Sequence, residues 1–115
     1  MVRQFEGFQR SNDKGGKGCV MIYPILPIEE CKEAFGRLFA RVIMTPGSAI
    51  EVHTHIGETE PYYIMSGTGL FTEPDGSKVE VKAGDTCTIK PGESHGLENI
   101  GDTDLEMIAL VYNVQ

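Results

Sequence analysis

The stretch "PGSAIEVHTHIGETEPYYIMSG", residues 46–67, holds two of the three histidines of the chain. His53 and His55 are one residue apart, and the carboxylate of Glu60 follows five positions after the second histidine. The β-branched residues around them favour a strand. Because successive side chains of a strand point to opposite faces, the two imidazoles are expected to share one face. Two imidazoles and a nearby carboxylate on one face are the beginning of a metal site.

The last histidine, His95, lies in "KPGESHGLEN", residues 90–99. In an antiparallel sandwich or barrel, strands that are distant in sequence bring their inner faces together, so His95 can join the first pair. Three imidazoles and one carboxylate suit a divalent first-row transition metal, which here means Mn²⁺, Fe²⁺, Co²⁺, Ni²⁺, Cu²⁺ or Zn²⁺.

The rest of the chain is typical of short strands separated by glycine and proline. The strand-like segments are residues 19–26, 36–44, 49–55, 60–67, 68–73, 78–85, 86–90 and 104–114. One helical turn is expected over residues 27–35, and "PGESHG", residues 91–96, is interpreted as a turn. This pattern predicts an all-β sandwich or barrel.

Length and composition indicate a single domain of 115 residues. The Gly-rich, polar residues 1–18 are expected to form a flexible N-terminal arm, and residues 19–115 to form the domain. There is no apolar run long enough for a membrane span and no apolar signal segment in "MVRQFEGFQR", so we expect a cytoplasmic protein. The three cysteines are widely spaced and are expected to be free thiols.

The net charge of −7 is unevenly distributed, because residues 1–18 carry +2 and the remainder −9. Nucleic acids and anionic lipids are bound by clustered lysine and arginine, which an acidic body does not offer. These partners are therefore excluded, and a small molecule is the expected partner.

Three further residues are candidates for chemistry beside a metal. Counted by strand alternation, Tyr62 points the same way as Glu60, and Glu51 shares the face of the two histidines; both are candidates for proton handling. In the strand-like segment 36–44, Arg41 could bind a substrate carboxylate if its face looks inward, and would be a solvated charge if that face looks outward.

The spacing of these residues resembles the two motifs of the cupin superfamily. Gly47, five residues, His53, one, His55, four, Glu60, six and Gly67 match the first motif at every position. The second motif appears as Gly84, Gly92, His95 and Asn99, with Lys90 where a proline is usual and Pro91 beside it. Together the motifs span residues 47–99.

The resemblance implies a cupin jelly roll, or double-stranded β-helix barrel, with His53, His55, Glu60 and His95 as ligands of a divalent metal, Mn²⁺ or Fe²⁺ being favoured. It implies a metal-dependent enzyme acting on a small polar or carboxylated molecule as an oxygenase (an oxidoreductase), a decarboxylase or an isomerase. The alternative is a non-catalytic cupin that binds or senses a small ligand. The chain is most similar to small oxalate-decarboxylase-like cupins, although it has Ile50 where the two-domain oxalate decarboxylases carry an arginine.

The amino-terminal segments are also rich in apolar residues. Phe5, Phe8 and the segment 19–26 hold more apolar surface than a short arm can bury alone. Cupins commonly dimerise through such strands, so the resemblance implies a homodimer whose interface includes residues 19–26 and the back of one sheet, away from the metal.

Overall fold

Two β-sheets packed face to face form the protein, which is described over residues 1–114 by a computed structural model. Eleven strands and one helix follow one another along these residues. They are β1 (Phe8–Gln9), β2 (Val20–Pro24), α1 (Ile28–Ala34), β3 (Gly36–Met44), β4 (Ala49–Thr54), β5 (Glu58–Thr59), β6 (Tyr62–Ser66), β7 (Thr68–Thr72), β8 (Lys78–Lys82), β9 (Thr86–Cys87), β10 (Ser94–Asn99) and β11 (Leu105–Asn113). The prediction of an all-β jelly-roll sandwich is confirmed.

The larger sheet has the order β1-β2-β3-β11-β6-β9, and β5 pairs with the end of β11. Its centre is the antiparallel pair β3 and β11, which is in register from Met44 opposite Leu105 to Leu38 opposite Val111; the register then shifts, and Gly36 lies opposite Tyr112. In β11 every second residue from Leu105 to Val111 is buried, so one face of this strand is turned to the core.

The smaller sheet has the order β4-β10-β7-β8 and carries two of the three histidines. β10 lies between β4 and β7 and is antiparallel to both. His95 of β10 is directly opposite His53 of β4, and the register shifts between His95 and Leu97. A residue from the second half of the chain is therefore placed beside the first histidine pair by strand pairing alone.

Strand β10 is the main difference from the sequence-based expectation. Residues 91–96 were expected to turn, but the strand begins at Ser94 and continues through Gly96 to Asn99. Glycine, glutamate and asparagine, three of the six residues of β10, are poor strand formers when judged alone. The strand forms because both of its edges are hydrogen-bonded and most of its residues are buried, which outweighs local propensity.

The side chain of Asn99 connects three segments at the end of this strand. Its Nδ2 donates to the carbonyl oxygens of Met44 and Thr103, each at 2.9 Å, and its Oδ1 accepts from the backbone N–H of Gly101 at 3.0 Å. These bonds satisfy both N–H donors of the buried amide and give its oxygen one donor. Asn99 therefore has a structural role at the end of the sandwich opposite the loop before β10.

The N-terminal arm lies along the larger sheet and crosses to the smaller one. Phe8 and Gln9 pair with Ile22 and Met21, and the backbone of Lys17 exchanges two hydrogen bonds with Ala49 of β4. These contacts place residues 10–18 beside β4. The flexibility of residues 1–18 stays a prediction.

The single helix of the described residues, α1, has seven residues and covers part of the larger sheet through Cys31. Within the described chain there is no helix with both the length and the apolar character needed to cross a bilayer. The three cysteines are free, as predicted.

Alanine in place of Ile64 is expected to lower the free energy of unfolding by about 2–5 kcal/mol, because a cavity in a well-packed core collapses only partly. Ile64 is 0% exposed and contributes to the core between the sheets. Urea denaturation followed by circular dichroism, with a chelator present so that bound metal adds nothing, measures the change.

The matched control is Met65→Ala, on the neighbouring residue, whose side chain points to the other face and is 46% exposed. This variant is expected to change the free energy of unfolding by less than about 1 kcal/mol. Equal losses in the two variants would contradict the assignment of faces in β6.

Candidate metal centre

Three histidines and one glutamate converge between the two sheets. His53 lies on β4, and His55 is the first residue after the end of that strand. His95 lies on β10, and Glu60 lies between β5 and β6. Their ligand atoms all lie within 4.8 Å of one another. His55, Glu60 and His95 are buried and His53 is partly exposed, so the group is open to solvent on the side of His53.

The distances within this group are short. His95 Nε2 lies 3.1 Å from His55 Nε2 and 3.2 Å from His53 Nε2. Glu60 Oε1 lies 3.1 Å from His55 Nε2, 3.2 Å from His95 Nε2 and 3.9 Å from His53 Nε2. The structure thus brings together all four residues that the sequence indicated.

The outer nitrogens of two histidines are held by acceptors. His53 Nδ1 lies 2.7 Å from the carbonyl oxygen of Glu51, and His55 Nδ1 lies 2.8 Å from Glu58 Oε1. Both oxygens can only accept, so each Nδ1 carries a proton. The neutral form of each ring then presents the lone pair of Nε2 to the centre of the group, as a metal ligand must.

His95 is oriented by packing. Its ring is stacked on Tyr62, with centroids 4.9 Å apart and planes inclined by 18°, and Phe71 meets it edge-on. Within residues 1–114 its buried Nδ1 has no hydrogen-bond partner. The aromatic contacts aim Nε2 at the other ligand atoms.

The group fits a divalent metal ion. Two ligand atoms about 2.1 Å from one ion and at right angles are about 3.0 Å apart, which is close to four of the five separations above. Nitrogen lone pairs and a carboxylate that face one another repel, and a cation between them removes that repulsion. The donor set of imidazoles and one carboxylate is the set that first-row transition metals accept.

Electrostatics in the metal-free chain agrees with a cation at this point. Burial alone would raise the pKa of Glu60, but the three imidazoles beside its carboxylate hold that pKa well below its usual value. The pKa of His55 is raised, chiefly by its hydrogen bond to Glu60. Burial lowers the pKa of His95, which favours the neutral ring that binds metal.

Tyr62 contacts the group from the core. Its hydroxyl lies 3.5 Å from His95 Nε2, and the side chain is buried. Burial and the neighbouring charge of Glu60 raise the pKa of Tyr62 well above its usual value. Tyr62 is therefore a neutral phenol that can donate a hydrogen bond at the site, and a role in proton handling stays a prediction.

Glu51 lies beside the group and is paired with an arginine that the sequence analysis missed. Arg10 of the arm donates from Nη1 to Glu51 Oε2 at 2.7 Å and from Nη2 to Glu51 Oε1 at 2.8 Å. These bonds lower the pKa of Glu51 to about 2. A carboxylate with so low a pKa is a weak base, so Glu51 can accept a proton effectively only if Arg10 moves away.

The structure places Arg41 away from the four ligands. Its guanidinium donates to Glu106 Oε1 at 2.9 Å and lies 4.8 Å above the ring of Tyr23. Arg41 is partly exposed, and its neighbours Ala40 and Val42 face the core. Of the two orientations left open by the sequence, the outward one is found, so Arg41 is not brought to the metal site.

Glu58 was a second residue whose contact the sequence did not show. It accepts from His55 Nδ1 and also from Arg37 Nη2 at 2.7 Å, so it orients a ligand. In the sequence, the signal for this contact was the position of Glu58 three residues after His55. Arg10 had no such signal, because it is separated from Glu51 by 41 positions.

A cavity of about 270 Å³ opens in front of His53, His55 and Glu60. Its walls are apolar side chains of both sheets, among them Val42, Ile50 and Met107. Its charged lining consists of Arg10, Lys14, Arg37, Glu51 and Glu60. The three cations and two carboxylates give a net charge of +1, and a divalent ion would raise it to +3, in a chain of net charge −7.

Comparison with known proteins identifies relatives of the whole chain. An oxalate-binding protein of Thermotoga maritima is 46% identical over 101 residues, which are 88% of this chain and 82% of that protein. The crystal structure of a predicted oxalate decarboxylase from Thermotoga maritima superposes with a TM-score of 0.88 at 42% identity and covers 99% of both chains.

Oxalate oxidase is a more distant structural relative. Its structure superposes with a TM-score of 0.60 at 28% identity, covering 66% of this chain and 41% of that one. Residues 40–111 match the family model of the cupin domain, Cupin_2. That match covers more than half of the chain and includes all four residues of the candidate metal centre, so the protein belongs to the cupin family.

Proposed function

We propose that this cupin binds one divalent transition metal ion through His53, His55, Glu60 and His95, Mn²⁺ or Fe²⁺ being favoured, and uses the ion to hold a small carboxylated anion. The observation that carries the proposal is the convergence of four ligand atoms at a cavity whose charged lining is net positive. The ion would supply a Lewis acid that binds and polarises a carboxylate oxygen.

The cavity favours a small anion over a neutral or cationic molecule. Apolar walls lower the local dielectric constant and strengthen the attraction between an anion and the cations of the lining. The Thermotoga maritima relative is named for binding oxalate, which is a small dianion. Oxalate is therefore the first ligand to test.

A catalytic step is the finer part of the proposal. The neutral hydroxyl of Tyr62 lies beside the ligand atoms and can donate a hydrogen bond to a bound carboxylate, which supports an oxygenase, decarboxylase or isomerase. Two observations favour the alternative, a non-catalytic binding protein. Glu51 is held as a weak base by Arg10, and residue 50 is isoleucine.

Purified protein is expected to hold about one divalent metal ion per chain, and His55→Ala or His95→Ala is expected to weaken metal binding at least about tenfold, because each removes a ligand from a preformed set. Elemental analysis and competition with a chromophoric chelator measure content and affinity. Thr54→Ala is the control, because this exposed residue lies between His53 and His55 and is not one of the four ligand residues. Unchanged metal content in both histidine variants would contradict the assignment.

Oxalate is expected to bind the Mn²⁺- or Fe²⁺-loaded protein and not the metal-free protein, because the ion supplies most of the positive charge of the cavity. Isothermal titration calorimetry on the two forms tests this difference. Equal binding to both forms, or no binding to the loaded form by oxalate or other small carboxylates, would contradict the proposed function.

Turnover assays on the same samples separate the enzyme from the binding protein. Consumption of oxalate, with release of carbon dioxide and with or without uptake of O₂, would identify the enzyme and its type. Diketones and sugars extend the panel to oxygenase and isomerase substrates. Binding without consumption of any of them would support the non-catalytic alternative.

A homodimer is also proposed, with residues 19–26 in the interface. The support is an apolar groove on the outer side of the larger sheet, lined by Leu26, Phe35 and Phe39, with Ile25 exposed beside it. An obligate interface of this type buries upwards of about 2,000 Å². Sedimentation equilibrium at tens of micromolar is expected to give the dimer mass.

Ile25→Asp is expected to shift that equilibrium towards monomer, because it buries a charge in the interface. Ile100→Asp, at a comparably exposed isoleucine after β10, is the matched control and is expected to leave the mass unchanged. A monomeric full-length chain would contradict the dimer, and a dimer insensitive to Ile25→Asp would contradict the role of residues 19–26.

A further inference from the structure

The ion pair of Arg10 with Glu51 differs from the other ion pairs of the described residues. Its side chains are 24% and 11% exposed, which makes it the most buried pair between an arginine or lysine and a carboxylate in residues 1–114. Its two hydrogen bonds are parallel and bidentate. Burial of both charges costs desolvation that offsets much of their attraction, so such a pair contributes little to stability.

The pair stands beside the metal centre. Glu51 is two residues before His53 on β4, and its carbonyl oxygen accepts the Nδ1–H of that histidine. Arg10 and Lys14 line the same cavity as the metal-binding group, and both come from the N-terminal arm. The arm therefore supplies two of the three cations of the cavity.

Arg10 has hydrogen-bonding capacity beyond its contact with Glu51. A guanidinium has five N–H donors, and Glu51 takes one from each terminal nitrogen. The only other acceptor of Arg10 in residues 1–114 is the carbonyl oxygen of Ser11, at a long 3.4 Å. A second carboxylate in the cavity would thus find free N–H donors on Nε and Nη2 and would share the guanidinium with Glu51.

We propose that Arg10, assisted by Lys14, holds the oxygens of a metal-bound dicarboxylate that face away from the ion, and that Glu51 competes with the ligand for Arg10. The inference rests on the proposed function of the metal site. It makes the arm the source of specificity: a dicarboxylate gains from Arg10, whereas a monocarboxylate bound to the metal has no second carboxylate to offer it.

The competing interpretation is that the pair only fastens the arm to β4. The two interpretations predict different directions of change in ligand affinity for the variants Arg10→Gln and Glu51→Gln. If the pair is a fastening, Arg10→Gln and Glu51→Gln break the same contact and change ligand binding in the same direction. If Arg10 binds the ligand, Arg10→Gln removes the binding group, whereas Glu51→Gln removes its competitor and a negative charge.

The test uses full-length, Mn²⁺-loaded protein and isothermal titration calorimetry with oxalate, malonate and acetate. Arg10→Gln is expected to raise the Kd of the two dicarboxylates by about tenfold or more, the loss typical of a charge-assisted hydrogen bond, and that of acetate much less. Glu51→Gln is expected to lower the Kd of the dicarboxylates severalfold. Arg3→Gln, which removes the exposed bidentate pair of the same arm with Glu30, is expected to change none of them.

Metal content and circular dichroism are measured on every variant, so that loss of the fold or of the ion is recognised. The double variant Arg10→Gln with Glu51→Gln leaves no unpaired buried charge and still lacks the proposed binding group, so its Kd for dicarboxylates should exceed that of Glu51→Gln at least about tenfold. If Arg10→Gln alone does not fold, the comparison of the double variant with Glu51→Gln still tests the role of Arg10.

Changes of the same sign in Arg10→Gln and Glu51→Gln would overturn the inference, and so would equal Kd values in the double variant and Glu51→Gln. Either result leaves the proposed function standing if wild-type protein binds dicarboxylates in a metal-dependent way. Wild-type, metal-loaded protein that binds no small carboxylate would instead overturn the proposed function.

Discussion

The antiparallel pairing of β4 with β10 is the constraint on which the site depends, because it sets His95 opposite His53 although the two are 42 positions apart. Once that register exists, strand alternation places His55 on the same face as His53. The turn before β6 then places Glu60 beside the three histidines. A slip by one residue would turn His95 to the other face and leave two imidazoles without a third. The position of β10 between two strands protects the register, since both of its edges are paired.

The same pairing buries a polar cluster that the protein alone satisfies incompletely. Hydrogen bonds fix the outer nitrogens of His53 and His55, whereas His95 is held by Tyr62 and Phe71 and its Nδ1 is unpaired within residues 1–114. A buried carboxylate is costly without positive charge beside it, and in the metal-free chain the imidazoles supply that charge only by holding protons. A metal ion would supply it with the imidazoles neutral, so ion and protons compete for the same nitrogens.

The sequence was sufficient where local pattern and spacing carry the information. Strand-like segments separated by glycine and proline predicted the central strands, and the motif spacing identified the four residues that converge. It was insufficient for β10, whose strand conformation depends on two partners rather than on propensity, and for Arg10, whose contact with Glu51 is long-range and arises from an arm that looked unstructured. The outward position of Arg41 was available in principle: Leu38, Ala40, Val42 and Met44 form an entirely apolar alternate set in β3, and such a set belongs to the core.

The arm also decides the sign of the charge around the metal site. Without Arg10 and Lys14 the charged lining of the cavity would be Arg37, Glu51 and Glu60, with a net charge of −1, which attracts a metal ion but opposes an anionic ligand. With the arm in place the net charge of the lining becomes +1, so the proposed ion would be held by direct ligation while the lining still attracts an anion. The body of the protein is acidic, and the excess of positive charge in residues 1–18 contributes Arg10 and Lys14 to this cavity. The four converging residues therefore support the proposed metal ion, and the arm supports the proposed anionic ligand.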